Sequence, residues 1–186
     1  MTEASHLLLA RHGRTALNAE GRLRGLANPP LDDAGIAEAT RLGAALASAG
    51  ITAVVCSPLD RAQQTAHIVA RAAAVAVHTD DRLNDRDYGS WTGHLTSEVV
   101  SRWGSIDRAP GVESTNRVLA RVLPALDDVI RHRAPVAIVT HDAVIRPVLQ
   151  FIDPSRTGLA MPTGSWSDIA LTRSGWVVES VDNVPA

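Results

Sequence analysis

Lysine is absent from this chain of 186 residues, and all 18 basic residues are arginine. That excludes every mechanism with an obligatory lysine, such as a Schiff base, a Walker-type phosphate loop or a Ser–Lys dyad. Cysteine is almost absent: Cys56 stands alone, so an internal disulfide and a multi-cysteine zinc site are both excluded. A lone thiol fits a reducing, cytoplasmic setting. One Phe, one Tyr and four Trp are too few for base-stacking platforms on single-stranded nucleic acid. A net charge of −2 gives no general attraction to nucleic acid or anionic lipid. No apolar run approaches the length of a membrane span. Met1–Ser5 carries no positive charge, and Leu7–Ala10 is too short for the core of an export signal. The expectation is a cytoplasmic protein with no nucleic-acid or membrane partner.

What is present is an ordinary globular balance, 45% apolar and 20% charged, of a length that suits one domain over residues 1–186. Its core must be built mainly from Ala, Val, Leu and Ile. Leu7–Ala10, Ala53–Cys56 and Val136–Thr140 read as buried strands, with Val75–Val77 a weaker one. Helices are expected over Asp32–Ala49, with Ile36, Leu42 and Leu46 on one side, and from Pro58 to about Ala73. Two more are expected from Ser114 to about His132 and over Asp142–Phe151, with Pro124 and Pro147 as disturbances. Residues 80–111 read as mostly irregular, with a short helix near Ser97–Trp103. Ile169–Thr172 and Trp176–Val181 flank Arg173-Ser174-Gly175 as a hairpin. Apolar strands alternating with helices predict an α/β fold, a three-layer α/β/α sandwich on a mostly parallel sheet.

Ligands in such sheets sit off the carboxyl ends of the strands. The first strand delivers Arg11 and His12 there, the second leads through Ser57-Pro58 to Arg61, and the Val136–Thr140 strand delivers His141. Taken singly, each is an ordinary turn or surface residue. Together they make a cationic, donor-rich cluster suited to a tetrahedral dianion such as a phosphoryl group.

Arg11-His12-Gly13-Arg14-Thr15 resembles the signature of the histidine phosphatase superfamily, also called the phosphoglycerate-mutase-like family. The resemblance continues, in order, through Gly21–Gly25 and Pro30-Leu31-Asp32, Cys56–Ala66, Leu83–Gly93, Pro110–Ser114 and Val139–Arg146. It implies phosphoryl transfer through a phosphohistidine. His12 would be the nucleophile, and Arg11, Arg61 and His141 would bind the non-bridging oxygens, with Asn18 as an added neutral donor. Asp85 would be the proton donor and then the base that activates water, with Asp87 and Glu113 as rivals. Arg24 and Arg86 would contact a second anionic group of the substrate. Fixed cations would fill the place of Mg²⁺, so no metal and no cofactor are implied. Trp91 and Trp103 are read either as walls of the substrate pocket or as plain packing. Two departures from the family pattern stand out. Asp85 occupies a position that usually holds Glu, and Asp142 a position that is often Gly. The Asp142 carboxylate must point outward or pair with an arginine, since it would otherwise repel substrate.

The resulting expectation is a metal-independent phosphomonoester hydrolase acting on a small phosphorylated metabolite. Phosphoglycerate-mutase-type transfer and an inactive phosphate-binding module are the alternatives. The lack of lysine and the short segment between Asp80 and Gly111 favour hydrolysis over the mutase. A cysteine phosphatase needs an arginine six positions after its nucleophile, and Arg61 lies only five after Cys56. An aspartate-based phosphatase would need an apolar strand before Asp85-Arg86-Asp87 and a lysine. The seven histidines show no helical pair of metal ligands. The Trp166–Trp176 region is the candidate contact for a homodimer.

Overall fold

In the computed structural model, which describes residues 5–133 and 135–185, six strands form one sheet with helices on both faces. The strands are β1 (Ser5–Arg11), β2 (Ala53–Cys56), β3 (Val77–Thr79), β4 (Val136–Thr140), β5 (Trp166–Thr172) and β6 (Gly175–Asn183). The helices are α1 (Ala16–Ala19), α2 (Asp33–Ser48), α3 (Asp60–Ala73), α4 (Thr96–Trp103), α5 (Thr115–Arg133) and α6 (Asp142–Ile152). Strand order is β3-β2-β4-β1-β5-β6. The first four in that order are mutually parallel, and β5 and β6 extend the sheet antiparallel beyond β1.

The two-residue period of the strands sorts their side chains between two cores. Leu7, Leu9, Val55, Val136 and Ile138 pack with α5 and α6 on one face. Leu8, Ala10, Val54, Cys56, Ala137 and Val139 pack with α2 and α3 on the other. Strands covered on both faces need unbroken apolar sequence, and β4 is buried at all five positions. No helix among the described residues is long and apolar enough to cross a membrane.

Local chemistry sets the helix ends. The Asp32 carboxylate accepts the Gly35 N–H at 2.8 Å and starts α2, and the Ser114 hydroxyl accepts the Arg117 N–H at 3.3 Å at the start of α5. The buried stripe of α2 is Gly35, Ala39, Leu42 and Leu46, while Ile36 lies about a quarter-turn off it and is 47% exposed. That corrects the expectation that Ile36 shares the Leu42–Leu46 side. β3 begins two residues later than its apolar run suggests. Ala74 adopts a left-handed conformation, and the Val75 N–H bonds the Ala70 carbonyl at 3.0 Å to close α3, so pairing with β2 starts only at Val77. Both α5 and α6 run through their internal prolines, Pro124 and Pro147.

Register brings the strand ends level. Arg11 stands beside Thr140 and Cys56 beside Val139, so His12, His141 and Ser57 emerge together at one edge. The His12 N–H bonds the Thr140 carbonyl and the Ser57 N–H the Val139 carbonyl, each at 3.0 Å, which extends the ladder into the site. The segment after His12 lies tightly against α2. A Cβ on Gly13 would fall 2.3 Å from the Gly35 carbonyl oxygen, and one on Gly35 would fall 2.1 Å from that of Arg14. Glycine is required on both sides of this contact. Gly35→Ala is therefore expected to lower unfolding stability by about 1–3 kcal/mol in urea titration.

Candidate active site

His12 is fully buried at the end of β1. Its Nδ1 lies 2.7 Å from the Gly13 carbonyl oxygen, so Nδ1 carries the proton and Nε2 keeps its lone pair. Nε2 is buried and has no hydrogen-bond partner among the described residues. The His141 ring, also fully buried, sits edge-on to it with 5.1 Å between centroids. His141 Nε2 lies 2.9 Å from the Ser57 hydroxyl. With Ser57 donating there, the His141 proton resides on Nδ1, which likewise has no hydrogen-bond partner and lies 3.6 Å from the Asp85 carboxylate.

Arg61, on the first turn of α3, is wholly buried. Its guanidinium donates to the carbonyls of Ala27 at 2.7 Å and Gly25 at 2.8 Å, and to Asp85 Oδ2 at 2.8 Å. Arg11 donates to the Met161 carbonyl and lies 3.5 Å from Asp142, which also pairs with Arg24 at 2.8 Å. Asp142 thus pairs with two arginines rather than pointing outward. The Nε–H groups of Arg11, Arg24 and Arg61 are buried without hydrogen-bond partners among the described residues. Five of these orphaned polar atoms, three guanidinium N–H groups and one nitrogen on each imidazole, therefore belong to one connected cluster. Unsatisfied buried donors are costly, and a tetrahedral anion would accept from the four N–H groups while facing the His12 lone pair.

Burial and the surrounding arginines hold both imidazoles well below the ordinary histidine value, so both are neutral. Burial raises the Asp85 carboxyl against the opposing pull of Arg61. Burial also acts to raise Asp142, but Arg11 and Arg24 outweigh it and bring that carboxyl down to about 2. Asp85 accordingly suits a group that gains and loses a proton, while Asp142 is a fixed anion.

The residues singled out in the sequence do not all meet. Arg11, His12, Arg61, His141, Asp85 and Arg24 come together. Of the three carboxylates weighed as proton donor, Asp87 is exposed and accepts the Gly89 N–H at 2.7 Å, and Glu113 is held by Arg121 at 2.9 Å. Asn18 stands apart: its amide oxygen accepts from the Thr15 N–H at 3.1 Å and hydroxyl at 2.8 Å, forming a capping box on α1. No hydrogen bond joins it to the cluster among the described residues. Arg86 is turned to Asp107 at 2.6 Å and to the Glu113 carbonyl at 2.6 Å, where it pins the segment that carries Asp85. Trp91 and Trp103 meet edge-on at 6.0 Å and pack around Leu23, Tyr88, Val99 and Ala109. Trp166 and Trp176 pack inward against the two main cores.

Three contributors escaped the sequence reading. Ser57 meets His141 Nε2 at 2.9 Å, Thr65 accepts the Gly13 N–H at 3.0 Å, and Arg121 grips the Asp85 carbonyl at 3.1 Å. Ser57 alone carried a signal, since it follows β2 as His12 follows β1.

Residues 7–184 match the histidine phosphatase superfamily (branch 1). The bifunctional protein Rv2228c of Mycobacterium tuberculosis is 36% identical over 167 residues, 83% of this chain and 46% of its own length. The chain thus spans about half the length of the first relatives it matches. A 2,3-bisphosphoglycerate-dependent phosphoglycerate mutase of Methylobacterium sp. is 32% identical, over 89% of this chain and 88% of its own. Phosphoserine phosphatase 1 of Hydrogenobacter thermophilus is 30% identical, over 75% and 72%. The crystal structure of a phosphoglycerate mutase from Bacillus anthracis superposes with a TM-score of 0.88 at 22% identity, over 97% of this chain and 94% of that one, which shows the same fold.

The neutral imidazoles make stability depend on pH. Unfolded, each protonates near its ordinary value of 6.5, whereas folded it resists protonation. The unfolded state thus binds more protons below that pH, and this share of stability is complete above about pH 7 and lost as pH falls through 6.5. Asp85, raised from 3.8, acts in the opposite sense. Wild type is expected to lose about 1–2 kcal/mol more per pH unit than His12→Gln/His141→Gln between pH 6.5 and 5.5 in urea titrations, the limit for one group being about 1.4. Equal slopes would show that the imidazoles are not buried neutral.

Proposed function

The chain belongs to the histidine phosphatase superfamily, and from that premise we propose that it is a metal-independent phosphomonoester hydrolase acting on a small phosphorylated metabolite through a phosphohistidine at His12. The observation that carries this reading is the set of five unpartnered polar atoms on the buried Arg11–His12–Arg24–Arg61–His141 cluster. His12 Nε2 offers its lone pair while Gly13 holds the opposite nitrogen, and the other four are N–H donors.

His12 Nε2 attacks phosphorus in line, and the bond to the ester oxygen breaks as the new P–N bond forms. Arg11, Arg24, Arg61 and the His141 Nδ1–H hold the non-bridging oxygens, so charge is stabilised by fixed donors already in place. Asp85 gives its proton to the departing oxygen and becomes a carboxylate. It then takes a proton from water, whose oxygen attacks phosphorus, and the P–N electron pair returns to His12. Orthophosphate is released and the site is restored. The burial that raises Asp85 supports its starting this cycle protonated.

Cys56 offers no rival nucleophile, because burial pushes its thiol up to about 11 and leaves it protonated. Mutase-type transfer is the second reading, favoured by the similarity to the Methylobacterium mutase. With 3-phosphoglycerate and a bisphosphoglycerate primer, a mutase isomerises the substrate, whereas the hydrolase proposed here releases free phosphate.

Phosphate release from p-nitrophenyl phosphate should be unaffected by EDTA. It should fall by at least about 10³-fold in His12→Ala and by about 10²–10⁴-fold in kcat for Asp85→Asn. Quenching wild-type turnover in alkaline detergent should trap phosphate on the protein in a linkage that survives base and is released by acid. Loss of activity on chelation, or full activity in His12→Ala, would contradict the reading.

A further inference from the structure

The reaction gives Asp142 no task. It stands at the start of α6, directly after His141, and it stays ionised, its carboxyl held down to about 2. A fixed anion beside a site for a dianion opposes binding by repulsion, so its presence calls for a compensating effect. One carboxylate cannot cancel the arginines around it. Asp85 begins the cycle protonated, so Arg11, Arg24 and Arg61 stand against Asp142 alone and keep a positive surplus for the phosphate. Arg146, farther out, adds to the same field.

The compensating effect lies in how the arginines are held. Arg61 is anchored by the Ala27 and Gly25 carbonyls and by Asp85, each at 2.8 Å or less. Arg11 ends β1 and is anchored by the Met161 carbonyl, and its contact with Asp142 is a looser 3.5 Å. Arg24 differs. It lies in the irregular connection between α1 and α2, and its short contact is the one to Asp142 at 2.8 Å. Beyond that, its guanidinium reaches only the Arg22 carbonyl, at 3.5 Å, among the described residues. Yet its charge bears on His12, His141, Arg61 and Asp85. A long side chain tethered by one short contact leaves its place when that contact goes, because most of its rotamers lie elsewhere.

We propose that Asp142 is a positioning residue of the phosphate site: by tying Arg24 to the start of α6, it keeps that guanidinium within the cluster that receives the phosphate. This rests on the phosphate site of the hydrolase reading and deepens it. Asp142 also stands between Arg11 and Arg24, whose like charges oppose each other, so one carboxylate holds two donors together. An amide in its place has a single acceptor oxygen, and its NH₂ group would confront a guanidinium. The two arginines that pair with Asp142 screen its repulsion of the phosphate, whereas each arginine meets the phosphate through direct, charge-assisted hydrogen bonds.

The two effects of Asp142 have opposite signs, and the test reads that sign. Inorganic phosphate is titrated into each protein and its binding followed by calorimetry, which needs no turnover. By charge alone, removing the carboxylate would tighten binding. Asp142→Asn and Asp142→Gly should instead bind phosphate at least about tenfold more weakly than wild type, the order expected of one lost charge-assisted hydrogen bond. Their kcat/KM for p-nitrophenyl phosphate should fall in step. In an Arg24→Ala background neither substitution should weaken phosphate binding further, because the group it positions is gone. Far-ultraviolet circular dichroism identifies the folded variants, and either substitution suffices for the comparison. Equal or tighter phosphate binding in a folded Asp142 variant, or an undiminished loss in the Arg24→Ala background, would overturn the proposal and leave hydrolysis intact. The expected pattern of phosphate binding in a protein that hydrolyses no ester would uphold the role of Asp142 and overturn the hydrolase reading. No phosphate binding by wild type would overturn both.

Discussion

A buried guanidinium organises this end of the molecule. Arg61 is shut away from water, and an unpaired charge in that position would cost several kcal/mol. It is tolerated because the Gly25 and Ala27 carbonyls and the Asp85 carboxylate are drawn around it. That demand fixes two long connections at once, the segment after β1 and the segment after β3. Asp85 is positioned as much by its role as counter-ion as by any role in catalysis. The Arg24–Asp142 and Arg86–Asp107 pairs hold the same segments farther out.

The layered fold was largely legible because its causes are local and repetitive. Strands covered on both faces must be unbroken apolar runs, and Leu7–Ala10, Ala53–Cys56 and Val136–Thr140 are such runs. The misplacement of β3 has the opposite cause: an edge strand of three residues, one half-buried and two exposed, leaves no strong pattern, and closure of α3 consumes Val75. α1 is only four residues long and is defined by its cap, Thr15 with Asn18, which no periodicity reveals.

For the site, legibility depended on whether a residue's position follows from a strand. Arg11, His12 and His141 sit at or just beyond strand ends, so the parallel arrangement alone brings them together. Arg61 follows one helical turn later. Arg24, Asp85, Arg86 and Asp142 are placed by long-range ion pairs, and sequence spacing carries no information about which carboxylate meets which arginine. Arg86 is an example: its partner, Asp107, lies on a different part of the same long connection. Asn18 is placed by local backbone geometry: its amide oxygen caps α1 with Thr15, a role no periodicity reveals.

The arginine forks around the pocket also bear on how the chain folds. Arg61 joins α3 to carbonyls of the connection after β1, and Arg121 joins α5 to the carbonyls of Arg82, Asn84 and Asp85. Each planar group bridges several backbone strands at once, a task beyond a single ammonium. These connections therefore cannot come loose one at a time without stranding a guanidinium in the interior. Ordering of the pocket and ordering of its covering segments form one cooperative unit, so a partly unravelled chain would retain its sheet yet possess no vestige of an anion receptor.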